Sequence, residues 1–267
     1  MKKIVLFLAL LVSFKSFSFD YDKFADYIVE GNYPEVDMML IDLVYSGEKI
    51  NINRSLNTNG DTALTLASYF KAPKIIDLLL DSGDVFTEPL DLNLLNKNGD
   101  SAVTLSSFIG CLQCLETLLY FGAKATNIGP RNIDALFTAA SSNRLGENER
   151  TELVLHLMKS KKVNINYVDS QNNSTLIYLL SRALNSGNKD FRAIYALIKA
   201  GVRINIKNKS YGDTPLHFAA VIGDLELVKT LINYGAYYTI KNNSGYTAID
   251  NAQNNENTEV YEYLNSL

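Results

Sequence analysis

The chain has 267 residues, 47% of them hydrophobic and 20% charged, with 25 basic against 29 acidic side chains, two histidines and two cysteines. Its apolar share is enough for a sizeable core, and its length admits one or two compact domains or a repeat array. An acidic chain without a basic run lacks an electrostatic grip on phosphate backbones and anionic membrane surfaces, so nucleic acid is not an expected partner.

Met1-Lys2-Lys3 is a short positive start, Ile4 to Val12 is an unbroken apolar run, and Ser16-Phe17-Ser18 puts small residues where a signal peptidase reads. The pattern predicts a signal peptide over residues 1–18, cleaved before Phe19, although Lys15 close to the cut departs from it. The apolar run is too short to span a bilayer, which takes about 20 apolar residues, and no later stretch is long enough. Cleavage takes Lys2, Lys3 and Lys15 from the 25 basic residues and none of the 29 acids, which leaves a net charge of −7. The leader and the Lys-, Ile- and Asn-rich usage look bacterial, and the expected location is the periplasm or the exterior.

Beyond the leader one pattern recurs. A short polar residue stands as an anchor at Asp22, Thr62, Ser101, Asp134, Ser174, Thr214 and Thr247, at intervals of 40, 39, 33, 40, 40 and 33. Such a residue caps a helix by accepting a backbone N–H of the first turn. Asn59-Gly60-Asp61 and Asn98-Gly99-Asp100 precede two of the anchors and suit tight turns. Second helices are expected to end at Gly47, Gly83, Gly122, Gly201 and Gly235, behind apolar residues such as Leu40, Leu43 and Val44 in the first unit and Val228, Leu231 and Ile232 in the sixth. The longer intervals place insertions at Arg144 to Arg150, between the helices of the fourth unit, and at Asn185 to Lys189 in the fifth. Lys161 stands where the fourth unit's terminal Gly is expected. The last helix, with Val260, Tyr263 and Leu264 on its apolar face, is more polar, as a cap facing water must be.

The clearest unit reads Thr214-Pro215-Leu216-His217-Phe218-Ala219-Ala220, then Gly223, Leu225, Val228, Leu231, Ile232 and Gly235-Ala236. It resembles the ankyrin repeat, whose hallmark is T-P-L-H-x-A on a period of about 33 residues. The resemblance covers about residues 20 to 267, holds well in units two, three, six and seven, and is degenerate in one, four and five. It implies an all-α solenoid of about seven helix-turn-helix repeats with short β-hairpin-like loops, forming one domain over residues 19–267. It also implies structural roles for Thr214 and His217, the histidine bonding backbone between neighbouring loops.

Members of that family bind proteins with their loop tips and the inner faces of their first helices. At the corresponding helix positions stand Tyr69 and Phe70, Phe108 and Ile109, and Val221 and Ile222; Tyr211 and Tyr246 stand at loop tips. Clustered exposed aromatics mark interaction sites, so these are the candidate partner-binding residues. The competing reading buries them against neighbouring repeats behind the local insertions.

Nothing argues for an enzyme, a metal or another cofactor. There is no Gly-rich phosphate loop, no GxSxG and no HExxH. His156 has no Cys, His or paired acid at ligand spacing, and Glu147 and Glu149 fall in a polar insertion that reads as a solvated loop. For Cys111 and Cys114 three readings stay open: a disulfide, buried thiols, or a redox or metal pair at a helix start. The expected function is therefore that of an exported, monomeric protein-binding scaffold. Sharper forms are a periplasmic inhibitor or self-protection protein that blocks an envelope enzyme, and a host-directed effector. The competing classes are a thiol-redox protein and a structural spacer.

Overall fold

The computed structural model describes residues 18–126, 134–160 and 163–267. All of the predicted leader except Ser18 lies outside the described residues, as does Lys161. Among the described residues fourteen helices follow one another in seven pairs. They are α1 (Tyr21–Val29) and α2 (Tyr33–Ser46), α3 (Ala63–Tyr69) and α4 (Pro73–Asp81), α5 (Ala102–Ile109) and α6 (Leu112–Tyr120), and α7 (Ala135–Ser141) and α8 (Glu147–Lys159). Then come α9 (Thr175–Ser186) and α10 (Arg192–Lys199), α11 (Pro215–Ile222) and α12 (Leu225–Asn233), and α13 (Ala248–Asn254) and α14 (Thr258–Asn265).

Helices of seven to nine residues, as most first helices are, do not hold in water alone; they form here because they are buried. Every side chain from Ala63 to Ser68 on α3 is buried, and so is each from Ala102 to Ser107 on α5. The small residues among them let backbones approach, and the Ser68 and Ser107 hydroxyls donate back to the carbonyls of Leu64 and Val103. One continuous apolar cluster runs from Phe24 to Leu264, so each repeat completes its core against its neighbours.

Six anchors cap their first helices, as expected, at Thr62, Ser101, Asp134, Ser174, Thr214 and Thr247. The first repeat differs: Asp20, not Asp22, is the cap, and it accepts the Lys23 N–H while Asp22 lies in the first turn. The cap is reciprocal in repeats two, three, six and seven, where Thr65, Thr104, His217 and Asp250 reach back to the cap residue's own N–H. Repeats four and five, the two degenerate interior units, have one-sided caps at Asp134 and Ser174.

The described loops are hairpin-like turns without extended strands: they carry isolated bridges, antiparallel between Thr126 and Asp134 and between Val168 and Ser174, and parallel between Ile50 and Phe86. An Asn or Asp five or six residues before the anchor shapes the loops of repeats two, three, five, six and seven. Asn96 Oδ1 accepts from Asn98 N and Asp100 N, and Asn57, Asp169, Asn208 and Asn242 act alike. Successive loops are then tied by single backbone bonds: Lys97 N to Asn59 O, Lys209 N to Gln171 O and Asn243 N to Tyr211 O.

Three smaller expectations are corrected. Gly47, Gly122, Gly201 and Gly235 end second helices in the left-handed region, but Gly83 opens a 3-10 turn, Gly83–Val85. Val44, expected on the apolar face of its helix, is 64% exposed. The insertion at Arg144 to Arg150 is not all loop, since α8 begins at Glu147; the fifth repeat's insertion is partly spent in extending α9 to Ser186.

Candidate partner-binding groove

The first helices and loops of repeats two to five enclose a concave groove of about 890 Å³. Tyr69, Phe70 and Phe108, all expected there, line it together with Phe137 and Tyr167, which were not. Tyr69 and Phe70 meet edge to face with centroids 5.2 Å apart, and Phe137 stands edge-on to Tyr167 at 4.7 Å and to Tyr178 at 5.1 Å. Such edge-to-face pairs fix ring orientation as well as bury area. Phe70 is 41% exposed and Tyr69 and Phe108 are half-buried, so the rings are open to a ligand yet held by their surroundings.

The other candidates fall elsewhere. Ile109 is 7% exposed and does not line the groove. The turn between the helices of the fourth repeat lies beside it, where Ser142 Oγ donates to the Phe108 carbonyl at 2.7 Å. At Gly110, which ends α5 at a φ of +81°, an added Cβ would meet the Glu149 carboxylate and the Leu145 side chain. Val221 and Ile222 are half-buried at the end of α11, where Asn257 Nδ2 donates to the Ala220 and Val221 carbonyls. Tyr211 and Tyr246 are exposed on the adjoining loops of repeats six and seven, away from the groove.

Phe137 escaped the sequence reading for an identifiable reason. It stands three residues after its anchor, where Thr65, Thr104, His217 and Asp250 close their caps. Asp134 caps α7 by accepting the Leu136 N–H without a side chain at 137 closing the cap in return, which leaves position 137 for a ring. A Phe in place of a capping side chain was the available signal.

The described rim carries three carboxylates, Asp61, Asp100 and Asp169. Asp61 accepts from the side-chain amides of Asn57, Asn59 and Asn96 at 2.8 to 2.9 Å. Asp169 accepts from Gln171 N, Asn173 N, Asn173 Nδ2 and the Tyr178 hydroxyl. Burial pushes the Tyr167 and Tyr178 phenols up, and the Asp169 charge adds to it in both. At the edge of the groove the Arg144 guanidinium carbon lies 5.5 Å from the Phe108 ring centroid and 5.9 Å from that of Tyr69, and Nη2 donates to the Tyr69 hydroxyl at 3.4 Å.

Elsewhere, Cys111 and Cys114 are joined by a disulfide at the start of α6, and both are buried. His217 bonds Thr214 within its own cap and the Tyr246 carbonyl of the next loop, the placement the resemblance implied. His156 meets Glu116 at 3.4 Å. Among the described residues no helix is long and apolar enough to cross a membrane, and no three His, Cys, Asp or Glu side chains gather as a metal requires.

A family model for ankyrin repeats in three copies matches residues 180–266. An ankyrin repeat protein of Rickettsia bellii is 40% identical over 94 residues, 34% of this chain and 55% of the relative, so the match spans about half of that protein. Two solved structures share the fold across nearly their whole length. The human ASB11 ankyrin repeat domain covers 91% of this chain and 96% of its own, with a TM-score of 0.63 at 21% identity. The ankyrin repeat domain of Bcl-3 covers 90% and 97%, with a TM-score of 0.64 at 24% identity.

Proposed function

We propose that this chain, an ankyrin-repeat protein, is an exported scaffold that binds a partner protein in the groove of repeats two to five. The observation that carries the reading is the floor of Tyr69, Phe70, Phe108, Phe137 and Tyr167 in one concavity. Aromatic side chains in a partly desolvated hollow, rimmed by polar loops, are the composition of interface centres. The acidity of the chain disfavours a nucleic acid or an anionic surface as the partner. Ankyrin repeats are generally protein-interaction modules, which agrees with the groove and leaves the partner to be named by experiment.

Export rests on the leader pattern over residues 1–18. The mass of the protein recovered from the envelope tests it: an N-terminus at Phe19 supports export, and an intact Met1 with its apolar run refutes cleavage. Binding is tested by capture from an envelope extract with the mature chain, beside a control carrying Tyr69→Glu, Phe70→Glu and Phe108→Glu whose fold is checked by circular dichroism. A partner caught by the native chain and lost by the folded control supports the groove. A partner caught equally by both overturns it. Thiol exchange by Cys111 and Cys114 is disfavoured by the burial of both sulfurs, since exchange needs an accessible atom.

A further inference from the structure

We propose that the exposed face of α2 is a second docking surface, outside the groove, and that it takes an amphipathic helix of a partner protein whose apolar stripe is edged by lysines or arginines.

Spacing along α2 is the first argument. Pro34, Met38, Ile41 and Tyr45 follow one another at intervals of 4, 3 and 4 and are all exposed, Met38 to 58% and Tyr45 to 56%. That alternation is the a/d seam of a coiled coil, and the 14 residues of α2 give it two heptads. The opposite side of the helix, with Val36, Leu40 and Leu43, is buried as α2 packs on α1, α4 and the Gly83–Val85 turn. The seam belongs to the first repeat alone. Aligned on their buried residues, α4 carries Lys74, Asp77 and Asp81, and α12 carries Glu226, Lys229 and Asn233, where α2 carries Met38, Ile41 and Tyr45. The same register on α6 and α10 keeps two polar residues of three, Gln113 with Glu116 and Arg192 with Lys199. The other second helices thus turn polar side chains to water, and an apolar stripe at this one place marks a contact.

The flanks decide the occupant. Beside the seam, at the e and g positions that set which helix a coiled-coil face pairs with, stand Glu35, Asp37 and Asp42, with Val44 at the fourth. Among the described residues none of these three carboxylates is in an ion pair. Residues 20–49 hold eight acids against Lys23 and Lys49, and the neighbouring α4 adds Asp77 and Asp81 against Lys74, so the surroundings do not offset the charge. A second copy of the chain would set acids against acids across its interface. Five exposed apolar side chains are also few beside the roughly 20–30 residues that each side of a stable interface supplies. An anionic membrane is repelled by the same acids. One helix with basic edges matches the width, length and charge of the face.

The test uses the chain with all seven repeats and two synthetic helices of about three heptads. Both carry leucine at a and d; one carries lysine at e and g and the other glutamate, so each repels its own copies. The lysine helix should bind about tenfold tighter than the glutamate helix at low salt, the scale of three flanking charge pairs. Met38→Glu with Ile41→Glu adds acids yet should abolish binding. Glu35→Lys, Asp37→Lys and Asp42→Lys together should reverse the preference. Asp42→Lys alone, at an exposed position, should narrow it about threefold and decides the matter if the triple variant does not fold. Equal binding of the two helices, no binding of either, or binding of the lysine helix that survives Met38→Glu with Ile41→Glu would overturn the inference. A dimer of the chain alone in sedimentation equilibrium, dissolved by the same pair of substitutions, would overturn it in favour of a second copy. Binding lost in Tyr69→Glu with Phe70→Glu but kept in the α2 variant would overturn it while leaving the groove reading intact.

Discussion

Arg150 Nη2 donates to the carbonyl oxygen of Ser142 across 2.7 Å, from a side chain that is 1% exposed. The same guanidinium reaches Ala140 O at 3.1 Å through Nε, and Leu145 O at 3.3 and 3.0 Å through its two Nη atoms. One arginine therefore satisfies three carbonyls of the turn from α7 into α8, the turn that carries Arg144 to the groove. Its nearest acid, Glu147, is 3.9 Å away and is engaged more closely by Arg182 at 3.0 Å.

Arg150→Ala should lower stability by about 3 kcal/mol, since it strands buried carbonyls and empties a core site. Arg150→Lys should recover little, because an ammonium has no fork to reach three acceptors. Urea midpoints measure both. If the variants match wild type, Arg150 is not the brace of this turn.

Asp134 gives a pH dependence of known sign. Burial raises its carboxyl from 3.8 to about 6, against the N–H groups of Asn164 and Leu136, which favour the ionised form. A carboxyl with a higher pKa in the folded state holds its proton more tightly there. Its stabilising contribution is therefore fully present below about pH 4 and is lost as pH rises through 6. The loss should be on the order of 2–3 kcal/mol. Asp190 and Asp250, held low by Arg192 and by Thr247, act with the opposite sign as pH falls. The informative quantity is thus the difference between wild type and Asp134→Asn, followed by urea unfolding from pH 4 to 7.5. A difference that does not change over that range would show that Asp134 does not titrate there.

What was legible in the sequence was local chemistry. Thr62, Ser101, Thr214 and Thr247 announce caps because a hydroxyl before an apolar run has one obvious use, and Tyr69, Phe70 and Phe108 follow from those anchors at fixed spacing. What escaped depends on contacts between repeats. Ile109 shares its register with Phe70 yet is buried, at an end of α5 where Leu145 and Glu149 of the fourth repeat's insertion come against Gly110. Arg150 reads as one more charge in a polar stretch, and only the fold turns it inward. Asn96, which shapes its own loop and donates to Asp61 of the loop before, was visible as an Asn five residues ahead of Ser101, but its partner lies 35 residues away.

The disulfide should matter little to folding. It closes a loop of four residues, and a loop that short restrains the unfolded chain by only about 2 kcal/mol. The Cys111→Ser, Cys114→Ala pair should keep the fold, the serine hydroxyl replacing a sulfur that now accepts the Cys114 N–H as helix cap. Far-ultraviolet circular dichroism and a urea melt, with and without reductant, check this. Collapse on reduction would make the bridge essential to repeat three.

His217 links two repeats through one ring. Nδ1 accepts the Thr214 N–H at 3.2 Å and meets the Thr214 hydroxyl at 2.8 Å, so Nε2 carries the proton and donates to the Tyr246 carbonyl at 3.0 Å. The ring is 1% exposed, so water does not replace these bonds. His217→Ala strands the Thr214 N–H and should lower stability by about 2 kcal/mol. The Tyr246 carbonyl keeps Asn242 N as a donor, so the loss falls mainly on the cap of α11. His217→Thr separates the two roles. Thr65 and Thr104 hold the same position in repeats two and three and accept their cap N–H at 2.8 Å, so threonine should restore the cap but leave the link to repeat seven broken. Hydrogen exchange reads the difference: amides of residues 242–254 should lose protection in both variants, while those of α11 recover in His217→Thr. In a stack whose repeats touch only their neighbours, the amides of α3 and α5 should not change. Loss of protection there as well would mean that the array unfolds as one unit and that His217 serves more than the joint between repeats six and seven.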